Sequence, residues 1–209
     1  MSDSEKAQEV RPQPTKGFAI TLIVTGFIAL AAAFTLVLER IHMLENPGVP
    51  LSCDFNPFIS CGSVMKTAQS HILGFPNPLI GLMGFAVVIA VGFAILAGAE
   101  FKLWFWRLFN AGVAGAMIFV LWLFTQSTFV IQILCPYCMI VWAAVVPMFW
   151  NTLLFSIREG IVEVPDRLIE RSFKWYDSAW LFSLVTEFLV AIAILVQFWH
   201  LWRTMLPGG

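Results

Sequence analysis

Length, composition and charge restrict the class of protein before any motif is considered. The chain has 209 residues, of which 59% are hydrophobic and 12% are charged, and its mean hydropathy is +0.84. Ordinary soluble domains carry about 25% charged residues, so this composition indicates an integral membrane protein. A net charge of −1, with no basic cluster and no glycine-rich phosphate loop, gives no support to nucleic acid or nucleotide binding.

Five apolar runs reach the length of about 20 residues that a helix needs to cross a bilayer. They predict an all-α membrane protein with spans at about 18–38, 79–99, 108–130, 134–155 and 179–202. Residues 17–209 then form one transmembrane domain, preceded by a polar, mobile tail of residues 1–16. The first run contains "ALAAA", which resembles a signal cleavage site, but it continues through "FTLVL" and is interpreted as an uncleaved anchor.

The distribution of positive residues predicts the orientation of the spans. Nine of the twelve Lys and Arg residues fall in the N-terminal tail, the second connection and the fourth connection. Because positive residues stay on the cytoplasmic side, the N-terminus is expected on the inner side of the cytoplasmic membrane. The first and third connections, which hold all four cysteines, are then expected outside, where disulfides form and persist.

The motif "CPYC" opens the fourth span and carries the clearest chemical signal. Pro136 suits the first turn of a helix, which puts Cys135 at its N-cap, where unpaired N–H groups and the helix dipole stabilise a thiolate. Cys138 follows one turn further along the same face. The pattern favours a redox pair that meets a lipid-soluble oxidant. A structural disulfide and a soft-metal site are the alternatives.

A second pair, Cys53 and Cys61, lies in the long first connection, residues 39–78, where a short helix is expected from Ser60 to about Leu73. By itself this pair is typical of a structural disulfide that closes a loop. Beside an outward-facing Cys-x-x-C it indicates a shuttle, because thiol–disulfide exchange passes through a mixed disulfide between two sulfurs. Four cysteines allow three complete pairings, and the spacing does not choose among them.

Taken in order, these segments resemble the vitamin K epoxide reductase homologues, in particular the bacterial members. The resemblance covers about residues 18–155 and includes "CDFNPFISC", "VMKT", "GFPNPLIG" and "CPYC". It implies a four-helix bundle around a quinone, with the fifth span accessory to it. The chain ends at "WRTMLPGG" without the fused thioredoxin-like domain of many relatives, so a stand-alone form with a separate partner is expected.

The resemblance also implies roles for the cysteines. Cys53 would take electrons from a secreted or membrane-anchored thioredoxin-fold oxidase resembling DsbA, and Cys61 would pass them to Cys135. Cys138 would then reduce menaquinone or ubiquinone. The implied function is a quinone-dependent, disulfide-generating oxidoreductase.

Three further residues stand at positions that the family uses near its quinone. Asn77 would hydrogen-bond a quinone carbonyl, Trp142 would line the pocket, and Thr67 would lie near the active cysteines. Each has a simpler interpretation: a helix cap for Asn77, bundle packing or the interfacial aromatic belt for Trp142, and a local backbone hydrogen bond for Thr67.

Two rival functions remain. A DsbB-type oxidase has the same chemistry, but its Cys-x-x-C precedes the loop pair, whereas here it follows. A membrane transport protein that binds a soft metal through the cysteines belongs to another class. Glu187, an ionisable residue inside the fifth span, is a functional suspect in any membrane protein, but no role is assigned to it because that span lies outside the implied catalytic bundle.

Overall fold

Six α-helices make up most of the computed structural model, which describes residues 12–162, 165, 175 and 178–199. The helices are α1 (Lys16–Glu45), α2 (Cys61–Met65), α3 (Pro78–Leu96), α4 (Leu103–Thr125), α5 (Pro136–Arg158) and α6 (Ala179–Gln197). A 3-10 turn, Ala68–Ser70, follows α2, and a π-helical turn, Gln126–Ile131, extends α4. Most of the predicted mobile tail lies outside the described residues.

The prediction of an all-α membrane protein with five spans is confirmed. Among the described residues, five helices are long and apolar enough to cross a membrane: α1, α3, α4 with its π-helical turn, α5 and α6. Their boundaries differ from the predicted ones where a charged residue was taken as an end. α1 continues past Glu39 and Arg40, and α4 begins before Arg107, whose Nε donates to the Ile161 carbonyl at 3.4 Å. The predicted end of the fifth span, residues 200–202, lies outside the described residues.

The first connection is more broken than expected. In place of one helix from Ser60 to about Leu73, α2 ends at Met65 and the chain turns at Lys66 and Thr67 before the 3-10 turn. This connection and residues 132–135 lie together at one end of the bundle, here called the cysteine end. Its buried cluster consists of Leu36, Leu51, Cys53, Cys61, Met65 and Cys135.

Helix α1 packs against both α3 and α5. Its contact with α3 is close because each helix supplies a glycine. A Cβ on Gly26 would lie 2.7 Å from Ile89 Cγ1, and one on Gly92 would lie 2.6 Å from Ile23 Cγ1. Small residues of this kind let helices approach closely in lipid, where no hydrophobic force drives them together.

The remaining packing leaves a space beside the cysteines. α4 and α6 both pack against α5, whereas α3 and α4, which the structure describes in full, have little direct contact with each other. At the end of the bundle away from the cysteines, aromatic rings fill the interior, with Phe18 stacked on Phe155 at 4.6 Å and Trp106 against Phe155 at 4.9 Å. The space between α3 and α4 extends to the cysteine end.

Candidate active site

Cys135 occupies the position that its motif predicts, the N-cap of α5. Its backbone is extended, Pro136 forms the first helical residue, and its Sγ accepts a hydrogen bond from the Cys138 backbone N–H at 3.4 Å. Its side chain is buried, whereas that of Cys138 is partly exposed. The fixed φ of proline and the free N–H groups of the first turn account for this geometry. Neither thiol forms a disulfide in this arrangement.

Cys53 and Cys61 are joined in a disulfide. Cys61 is the first residue of α2, behind Ser60, whose hydroxyl caps the helix by accepting from the Ser63 N–H at 3.0 Å. The Sγ of Cys61 lies 3.6 Å from the Sγ of Cys135. The two cysteine pairs that the sequence leaves without a fixed relation are therefore in contact.

Backbone pairing sets the register between the two pairs. The Ser60 N–H donates to the Leu134 carbonyl at 3.0 Å, and the Leu134 N–H donates to the Phe58 carbonyl at 2.8 Å. This short parallel bridge pairs Ile59 with Leu134, two residues before Cys61 and one residue before Cys135. Because paired backbones run side by side, the bridge brings the segments that carry Cys61 and Cys135 next to each other.

Asp54, which sequence reasoning missed, holds the disulfide loop together. Its carboxylate accepts hydrogen bonds from the Ser60 hydroxyl at 2.7 Å, the Gly62 N–H at 2.9 Å and the Leu51 N–H at 3.1 Å. Partial burial opposes ionisation, but the hydrogen bonds from Gly62, Ser60 and Leu51 outweigh it, so the pKa of Asp54 is lowered. The position of an Asp directly after Cys53 was the available signal.

A cavity of about 800 Å³ begins at the cysteines and continues between α3 and α4. Its lining includes Cys61, Cys135 and Cys138 at one end and apolar residues of α3 and α4 along its length. Cavities that hold small organic molecules measure about 300–1,000 Å³ and are mostly apolar with a few polar groups. This cavity has both properties.

The polar groups of the cavity lie close to the cysteine end. Gln69, Asn77 and Gln126 all line it, and a long hydrogen bond of 3.4 Å joins Gln69 Nε2 to Gln126 Oε1. Gln126 is the first residue of the π-helical turn, and π-helical turns frequently occur at functional sites. Neither glutamine was predicted: Gln126 belongs to a π-helical turn, which no sequence pattern marks, and Gln69 lies in the 3-10 turn that follows α2.

Of the three residues implied by resemblance, two line the cavity. Trp142 is buried, lines the cavity and packs edge-on against Phe124 at 5.3 Å. Asn77 lines the cavity too, but its side chain is bound to the backbone of the first connection. Its Nδ2 donates to the Gln69 carbonyl at 2.7 Å, and its Oδ1 accepts from the Ile72 N–H at 3.2 Å. It does not cap α3 through its side chain.

Thr67 is placed differently. Its hydroxyl donates to the Val64 carbonyl at 2.7 Å, the local backbone bond of its simpler interpretation, and it is not among the described residues that line the cavity. Glu187 lies on α6 with a buried Oε1 that has no hydrogen-bond partner within the described ranges. Among the described residues, no group of three or more His, Cys, Asp or Glu side chains could hold a metal ion.

A match to a protein family agrees with this geometry. The model of the vitamin K epoxide reductase family matches residues 20–153, which is more than half of the chain. The chain belongs to the vitamin K epoxide reductase family. The match begins within α1 and ends within α5, so it includes both cysteine pairs and the helices that line the cavity. A search of curated proteins gave no match.

Membership in this family identifies the chain as a membrane redox enzyme that makes or breaks disulfides. The paired cysteines, the five membrane helices and the cavity all fit that activity. One feature of the expected relay stays a prediction. Cys53 was expected to face a protein partner, yet its side chain is only 2% exposed.

Proposed function

We propose that the chain oxidises the thiols of a secreted or membrane-anchored thioredoxin-fold protein and delivers the electrons to a membrane quinone. One observation carries this proposal. A disulfide, Cys53–Cys61, contacts the Cys135 sulfur at 3.6 Å, and Cys138, one turn away, lines an apolar cavity. The sulfur atoms thus form a continuous path from the loop to the cavity.

Exchange along this path takes two steps. With the loop reduced and Cys135–Cys138 oxidised, the Cys61 thiolate attacks Cys135, a Cys61–Cys135 disulfide forms, and Cys138 leaves as a thiolate. Cys53 then attacks Cys61 and releases Cys135 as a thiolate. The arrangement observed here, with a loop disulfide and two free thiols, corresponds to the product of this sequence.

The cavity residues fit a quinone. The apolar walls suit a prenyl tail, and the amides of Gln69, Asn77 and Gln126 near the cysteines suit the oxygens of a ring. A bound menaquinone or ubiquinone would supply an acceptor for the two electrons and two protons that leave when Cys135 and Cys138 form a disulfide. The helix N-terminus at Cys135 helps to hold the thiolate ready, and the buried side chains exclude water.

The direction of electron flow and the membrane orientation are part of the same proposal. DsbA-type oxidants have reduction potentials of about −120 mV, so they need a higher-potential acceptor such as a quinone for reoxidation. The distribution of Lys and Arg supports a cytoplasmic N-terminus and an extracytoplasmic cysteine end. The order of the cysteine pairs favours this reading over a DsbB-type oxidase.

The test measures quinone reduction by purified protein supplied with a reduced thioredoxin-fold partner. Cys138→Ala is expected to lower the turnover at least about 1,000-fold, as removal of a reacting group does in other enzymes. Ile140→Ala, on the same helix with an exposed side chain, is the matched control and is expected to keep the activity. Turnover that survives Cys138→Ala would contradict the proposal, and co-purified metal lost on oxidation would favour the metal-binding alternative.

A further inference from the structure

Both sulfur-bearing residues of the loop disulfide are shut away from solvent. Cys53 is 2% exposed and Cys61 is 0% exposed, and they pack into the buried cluster of the cysteine end. Thiol–disulfide exchange requires a thiolate to reach one of the two sulfurs, so its rate depends on access. In this arrangement the disulfide is in contact with Cys135, while Cys53 offers almost no surface to a thiol of another protein.

One carboxylate ties together the chain on both sides of this disulfide. The Asp54 side chain accepts from Leu51, which precedes Cys53, and from Ser60 and Gly62, which flank Cys61. Hydrogen bonds to a charged group are the strong ones in proteins. These three bonds oppose any movement that would separate the two arms of the loop.

The residue at position 62 leaves room for this carboxylate. A Cβ built on Gly62 would lie 2.9 Å from Asp54 Oδ2, closer than side-chain carbons normally approach. The hydrogen bond from the Gly62 N–H therefore depends on glycine at this position. A methyl group there would push the carboxylate away without changing the charge of the loop.

We propose that Asp54 is a latch that switches the loop between two partners. Closed, it presents Cys61 to Cys135 and hides Cys53; when its hydrogen bonds are released, the loop opens and Cys53 meets the thiol of the secreted protein. This inference rests on the proposed function. The partner thiolate attacks Cys53, Cys61 leaves as a thiolate, and the partner's second thiolate then displaces Cys53. The partner dithiol is oxidised and the loop disulfide is reduced; the two protons that the partner thiols give up are taken up by the Cys53 and Cys61 thiolates, so no proton is released overall.

The experiment measures how fast dithiothreitol, an uncharged dithiol, reduces the Cys53–Cys61 disulfide of quinone-free protein in lipid nanodiscs. Samples are quenched by alkylation and the labelled cysteines are counted by mass spectrometry. Asp54→Asn is expected to speed reduction about tenfold, which corresponds to about 1.4 kcal/mol. Gly62→Ala is expected to act in the same direction. Glu45→Gln is the matched control, because it removes an exposed carboxylate at the C-terminus of α1, also at the cysteine end. It is expected to leave the rate unchanged.

A second measurement separates a latch from general loosening of the protein. In the Cys53→Ala/Cys138→Ala background, Asp54→Asn is expected to lower the yield of the Cys61–Cys135 disulfide, because an open loop carries Cys61 away. The melting temperature of the single variants is measured alongside. Should Asp54→Asn fail to fold, Ser60→Ala and Gly62→Ala carry the test, since both keep the carboxylate.

Unchanged or slower reduction in both Asp54→Asn and Gly62→Ala would overturn the latch. No quinone takes part in the measurement, so its failure is distinct from failure of the proposed function, which the Cys138→Ala turnover decides. The result that supports the latch is faster reduction of the loop disulfide combined with a lower yield of the Cys61–Cys135 disulfide.

Discussion

The two ends of the bundle are built from different interactions. At the end away from the cysteines, Trp106, Phe18 and Phe155 fill the interior with stacked and tilted rings. At the cysteine end, hydrogen bonds to Asp54 and a short backbone bridge to Leu134 position the reactive sulfurs. Dense aromatic packing resists rearrangement, whereas a few hydrogen bonds can be exchanged. Stability and reactivity are therefore expected to respond to different substitutions.

The largest expected effect on stability comes from the aromatic end. Trp106 is 1% exposed, and Trp106→Ala is expected to lower the free energy of unfolding by about 3–5 kcal/mol, because it leaves a cavity among packed rings. Trp104→Ala, on the same helix with a side chain 63% exposed, is the matched control and is expected to cost much less. Thermal unfolding of both variants in the same detergent gives the comparison.

Trp106→Ala also tests whether the aromatic end affects the reactivity of the cysteine end. Below its unfolding temperature, Trp106→Ala is expected to keep the rate at which dithiothreitol reduces the loop disulfide. A large change in that rate with the fold intact would show that the aromatic end controls the cysteine end, contrary to the comparison drawn here.

The smallest expected effect concerns Thr67, the residue that resemblance places near the active cysteines. Within the described part of the chain its hydroxyl donates only to the local Val64 carbonyl, so Thr67→Val is expected to cost about 1 kcal/mol or less and to leave quinone turnover within about twofold. Asn77→Ala is the contrasting variant, since its amide joins two loop backbone groups beside the cavity. A loss of turnover in Thr67→Val with unchanged stability would restore the catalytic interpretation of this residue.

The parts of the fold that could be predicted from sequence are those that local composition decides. Apolar runs identified all five spans, and proline after Cys135 placed that cysteine at a helix N-cap. The helix ends were less accurate, because a single charged residue such as Arg107 can lie within a helix when a nearby carbonyl accepts from it. Local pattern therefore determined which helices form, while tertiary contacts determined where they end.

The relation between the two cysteine pairs was implied by the family resemblance but could not be derived from the residue pattern, because it depends on residues far apart in the chain. The bridge between Ile59 and Leu134 sets the register, and neither residue is distinguished from other apolar residues by its neighbours. The disulfide between Cys53 and Cys61 was one of three pairings open to the sequence. The burial of Cys53 was missed for the same reason, since the covering residues come from several segments.

The most direct test of the account uses two complementary double variants. Cys53→Ala/Cys138→Ala leaves Cys61 and Cys135, whose sulfurs lie 3.6 Å apart, and mild oxidation is expected to join them in nearly every molecule. Cys61→Ala/Cys135→Ala leaves Cys53 and Cys138 and is expected to give little or no internal disulfide. Equal disulfide yields from the two variants, read by mass spectrometry, would contradict exchange between Cys61 and Cys135.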